Sequence, residues 1–118
     1  MDTKKAIMAF SQSEKIKSGI IWLSHALELL GSLPASETQG GQKIVRALTD
    51  MVFQEIQLAK NVAGDEKWND AEKSIDQATI MIDSGVGPES ITHLTQALSQ
   101  VTSIGQRSMS FLQDQGLL

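Results

Sequence analysis

The sequence predicts an all-α protein, an up-down-up-down antiparallel four-helix bundle. Three observations carry this expectation. Helix breakers cut the 118 residues into four long segments: Gly31 with Pro34, then Gly64, then Gly85, Gly87 and Pro88, then Gly116 near the end. Each segment repeats its apolar residues every three or four positions, and nowhere do apolar and polar residues alternate with period two, so no strand is expected. The connections between segments are short, which favours antiparallel neighbours.

The first helix, near residues 3–31, carries Ile16, Ile20, Leu23, Leu27 and Leu30 at spacings of four, three, four and three, which keep one stripe against a partner helix. The second, near 37–63, reads Ile44, Val45, Leu48, Val52, Ile56, Ala59 and Ala63. Ser36 followed by Gln39 suggests a capping box at its start. Gly40 and Gly41 each lower helix stability by about 1 kcal/mol relative to Ala, so Gln42 is a second candidate start and the longest connection is expected between helices one and two. The third, near 65–84, has Asp65 as its N-cap and Trp68, Ala71, Ile75, Ala78 and Ile82 on its stripe, with Asp70, Lys73, Asp76 and Gln77 outside it. The fourth, near 88–115, opens on Pro88 and Glu89, suited to a first turn, and reads Ile91, Leu94, Leu98, Val101, Gly105 and Leu112.

Composition narrows the function. The length is that of one domain. With no cysteine in the sequence, thiolate metal sites, disulfides and cysteine nucleophiles are excluded. Ten basic against fourteen acidic residues give a net charge of −4, and the acidic excess, mostly between Asp65 and Asp83, lacks the basic stripe of a nucleic-acid surface. The start, MDTKKAIMAFSQSEK, has too short an apolar run for a secretion signal, and no run approaches the roughly 20 residues of a membrane span. A cytoplasmic protein that binds neither membrane nor nucleic acid is expected.

No nucleophile–base pair, phosphate loop or cofactor motif is found, so neither catalysis nor a cofactor is expected. Two histidines give the alternative reading of a small signalling or metal-binding bundle. If helices one and four are antiparallel neighbours, residues whose numbers sum to about 118 share a level. His25 and His93 satisfy that sum and Glu28 and Glu89 nearly do, and these are ligand types used by divalent metals. Against a metal site, the helical projection turns His25 almost opposite the core stripe and puts His93 on the shoulder of its own. The outward His25 also resembles the phosphate-relay histidine of histidine phosphotransfer domains, which share this size. In those domains a lysine follows three residues later and then a glycine; here Glu28 and Leu29 stand there, and a carboxylate repels phosphate. Glu55 falls inside the apolar arc of helix two, where its head is expected to reach water or Lys17.

The fourth helix poses a different question, because ITHLTQALSQVTSIGQRSMSFLQ (residues 91–113) carries one formal charge, at Arg107. Helix one in turn carries a second seam: Trp22 and Leu29, seven residues apart, point away from its core stripe with Ser18, Ile21 and His25 around them. On helix four, Ala97, Ile104 and Phe111 recur every seven residues on a shoulder beside Gln96, Gln100 and Ser103. Exposed apolar groups rimmed by small uncharged residues are the composition of an interaction surface. The expected function is therefore a non-catalytic adaptor, chaperone-like or regulatory module that self-associates through helices one and four, most simply as a two-fold dimer. The competing expectation is that a loop over 31–41 covers Trp22.

Overall fold

The computed structural model describes residues 2–64 and 66–118. Four α-helices, α1 (Thr3–Ser32), α2 (Ala35–Ala63), α3 (Lys67–Asp83) and α4 (Ile91–Asp114), make up most of them, and a 3-10 turn at Gly87–Ser90 leads into α4. There is no strand among the described residues. Asp2 caps α1 by accepting a hydrogen bond from the Lys5 N–H at 2.8 Å, and Gly64 ends α2 at φ 55°, a left-handed conformation that glycine adopts at no steric cost. The expected cap at Asp65 lies outside the described residues.

The junction of α1 and α2 corrects the sequence reading. Only Leu33 and Pro34 separate the two helices, so this is not the long connection that was expected, and no 31–41 loop exists. Proline ends α1 because its ring and missing N–H cannot continue the helix, and it suits the start of α2, where an N–H would find no partner within the helix anyway. Ser36 consequently sits inside α2 rather than at a cap; Thr38 Oγ1 instead donates to the Pro34 carbonyl at 3.1 Å. Gly41 has a steric role in this tight turn: a Cβ there would stand 2.7 Å from Leu33 Cδ1 and 3.0 Å from Leu30 Cδ1. The two glycines, read as helix-weakening, lie inside α2, and one of them lets its first turns close against the end of α1.

α1 packs on α2 and α4, and α3 packs on the same two helices. Side-chain contacts tie each neighbouring pair together. Between α1 and α2, Lys15 meets Glu55 at 3.0 Å while Leu30 lies beside Gly41. Between α2 and α3, Lys60 meets Glu72 at 3.0 Å and Gln42 Nε2 donates to the Ile82 carbonyl at 2.7 Å; Arg46 adds pairs to Asp83 and, within its own helix, Asp50. Between α3 and α4, Lys67 donates to Ser103 at 3.2 Å and Ser74 to Gln100 at 3.0 Å. Between α1 and α4, Ser13 faces Gly105, while Gly31 faces Pro88 in the 3-10 turn before α4. The molecule measures 54 × 21 × 18 Å.

The apolar stripes meet along the centre. Ile16, Ile20, Leu23 and Leu27 of α1, Ile56 of α2, Ile75 and Ile82 of α3, and Leu94 and Val101 of α4 are buried. Trp68 is wholly enclosed, and Ala71 and Ala78 on the same stripe keep α3 slim where larger side chains of its neighbours fill the space. Thr49 and Ser108 are buried but satisfied, each donating to the carbonyl four residues earlier at 2.8 and 2.9 Å. Ile44, expected on the core stripe of α2, is 66% exposed.

Candidate interaction surface

α1 and α2 carry a second apolar stripe each, and Trp22 of one and Met51 of the other line a common groove. On α1, Trp22 is 70% exposed and Leu29, two turns further on, 63%. On α2, Ile44, Met51 and Leu58 recur every seven residues and are all exposed. Seven residues are nearly two helical turns, so each set stays on one side of its helix. Lys15, Ser18 and Trp22 from α1 and Leu48, Met51 and Glu55 from α2 line a groove of about 510 Å³, with Gly19 at its floor. The glycine makes that floor: a Cβ there would reach ordinary contact, 3.4 Å, with Val52, and any larger side chain would fill the channel. The only charges lining the groove, Lys15 and Glu55, neutralise each other across it at 3.0 Å. Glu55 thus pairs with Lys15, not Lys17, which turns to the other flank of α1 and pairs with Glu14 at 3.0 Å.

Of the residues expected at an interface, those of α1 are exposed and those of α4 are buried or half-buried. Ser18, Trp22, His25 and Leu29 are exposed as expected. Ala97 and Ile104 are not on an outer shoulder: both are fully buried in the chain's own core. The buried residues of α4 are Leu94, Ala97, Val101, Ile104, Gly105, Ser108 and Leu112, with Leu98 half-buried beside them, so the buried arc includes the shoulder as well as the expected stripe. α3 covers part of the shoulder. Gln100 is half-buried and accepts from Ser74 at 3.0 Å, and Phe111 is half-buried as well. No large apolar side chain of α4 is exposed, and its wet side is Thr92, Thr95, Gln96, Ser99 and Gln106. The charge-poor composition of that helix therefore does not mark an apolar contact surface.

The histidines and their carboxylates do not converge. Ser13 meets Gly105 of α4 and Gly31 meets Pro88 of the turn before it, yet His25 is exposed while His93 is half-buried with its Nδ1 closed off from solvent and without a hydrogen-bond partner. Among the described residues no group of three or more His, Cys, Asp or Glu side chains comes together as a metal ion requires, His25, Glu28, Glu89 and His93 included. Nor is any helix among the described residues long and apolar enough to cross a membrane.

The α2 contribution was missed because Ile44 and Leu48 fit the core stripe of α2 as well as a second one. The signal that could have separated them was the seven-residue recurrence Ile44, Met51, Leu58, the same interval that marked Trp22 and Leu29. Comparison with known proteins finds no family, no curated protein and no solved structure that matches the chain.

Proposed function

We propose that the chain is a non-catalytic protein–protein interaction module of the cytoplasm, an up-down-up-down antiparallel bundle whose α1–α2 face receives a partner protein. The observation that carries this reading is Trp22, 70% exposed at the edge of an apolar groove. A tryptophan in water forgoes the largest burial gain of any side chain, and Trp is among the residues most enriched at the energetic centres of interfaces. Its surroundings support the same reading: Met51 and Leu48 across the groove, small Ser18 beside it, and charges that are already paired. Scattered exposed apolar residues are ordinary, but five large ones on adjoining flanks of two helices form a patch. Reverse-running contacts between α1 and α2, α2 and α3, and α3 and α4 support the bundle topology.

The test is photocrosslinking in the cells that make the protein. Benzoylphenylalanine replacing Trp22 should join the chain to a protein, itself or another, whereas the same group replacing Lys73, exposed on the far side of α3, should not. Absence of a protein adduct at position 22, or equal adducts at both positions, contradicts the reading.

A further inference from the structure

We infer that the occupant of the α1–α2 face is a second copy of this chain, with α1 of each copy lying along α2 of the other and Trp22 seated in the opposing groove. This rests on the interaction reading above and names its partner. The first argument is size. α1 is 30 residues long, about 45 Å at the α-helical rise. A face of that length, spanning a molecule 18–21 Å across, offers roughly 800 Å², the area each partner gives up in an interface of standard size. A single docked helix would cover only the groove and leave Ile44, Leu58 and Leu29 on its margins in water.

Charge is the second argument. Like-with-like contact ordinarily sets equal charges against each other, which opposes self-association. Here the two charged residues of the groove form one internal ion pair, so the groove of a second copy brings no net charge to the centre of the contact.

Shape selects the arrangement. A two-fold axis running along the groove exchanges the α1 and α2 sides without reversing either helix, so α1 of one copy meets α2 of the other in the antiparallel sense. Gly19 lies level with Val52, which sets Trp22 opposite the partner copy's Leu48 and Met51. The one large knob of α1 then faces the apolar row of α2, twice. Two pairs of helices facing each other in this way build a second four-helix core between the copies, with the packing that such cores use elsewhere.

The natural chain has no cysteine, so introduced thiols report only on their own positions. Purified full-length Ser18→Cys and Met51→Cys chains, mixed, allowed to exchange and gently oxidised, should yield a disulfide joining the two different chains several-fold above either chain with itself. Gln57→Cys mixed with Lys73→Cys should give no such excess. An unlinked Ser18→Cys and Met51→Cys mixture, or one without preference for the mixed product, overturns the proposal. If the mixture stays unlinked while benzoylphenylalanine at position 22 still captures a different protein in cells, the second copy is wrong and the interaction module stands. If position 22 captures nothing and the thiols stay unlinked, both fall.

Discussion

Lys15 Nζ and Glu55 Oε1 lie 3.0 Å apart across the α1–α2 groove, in side chains that keep 60% and 33% of their exposure. The pair therefore works in partly wet surroundings, where ion pairs are worth about 0.2–1 kcal/mol. Glu55→Gln should lower the unfolding free energy by about 1 kcal/mol or less, and the difference should shrink further in high salt. Urea unfolding at low and high ionic strength measures it. A loss of several kcal/mol would mean that the carboxylate anchors a buried polar network.

Ser13 and Gly105 hold α1 and α4 together more closely than any side chain at 105 would allow. A Cβ on Gly105 would stand 2.5 Å from Ser13 Oγ and 3.2 Å from Ser13 Cβ. Gly105→Ala should destabilise by about 1–3 kcal/mol despite alanine's better helix propensity, because the helices must part. Ser13→Ala in the same chain should recover part of that loss, since it removes the nearer atom, and thermal unfolding of the two single variants and the double variant reads the coupling.

The glycine pair in α2 should separate by environment. Gly40 has open space where a side chain would go, so Gly40→Ala should stabilise by about 0.4–1 kcal/mol, the gain from restricting the unfolded chain at a helical site. Gly41→Ala would press on Leu33 and Leu30 and should gain less than Gly40→Ala, or lose stability outright. Equal effects at the two positions would show that the α1–α2 turn is looser than described.

His25 and His93 should not act as a metal pair. The purified protein should bind Zn²⁺ with the same weak, non-stoichiometric isotherm whether or not both are changed to alanine. Calorimetric binding of one ion per chain at micromolar affinity or tighter, lost in the double variant, would restore the metal reading.

Much of the architecture was legible because local signals agreed. Proline and glycine marked the breaks, and in α1 and α3 the buried stripe was the one read from spacing, down to Trp68 and Ile82. α2 and α4 were harder for one reason: each carries more apolar residues than a single stripe needs. In α4, Ala97 and Ile104 turn inward together with the expected Leu94, Val101, Gly105 and Leu112, so the buried arc is wider than one stripe. In α2 the residues facing the core and those facing the groove adjoin, and only the contact with α1 tells them apart. The α1–α2 turn was opaque because glycine's helix propensity argued one way and the close approach at Gly41 the other, and tertiary packing prevailed.

The most direct test of a second copy on the α1–α2 face is the mass of the purified chain by light scattering between about 1 and 100 μM, set beside Trp22→Glu and the control Lys73→Glu. Covering Trp22 and its apolar neighbours should contribute about 1.5–3 kcal/mol for each side chain fully buried, and a two-fold contact counts each twice. The wild type and Lys73→Glu should therefore run as dimers within this range, and Trp22→Glu should run as a folded monomer. A wild-type chain that stays monomeric throughout, or a Trp22→Glu dimer as tight as the wild type, would contradict the account.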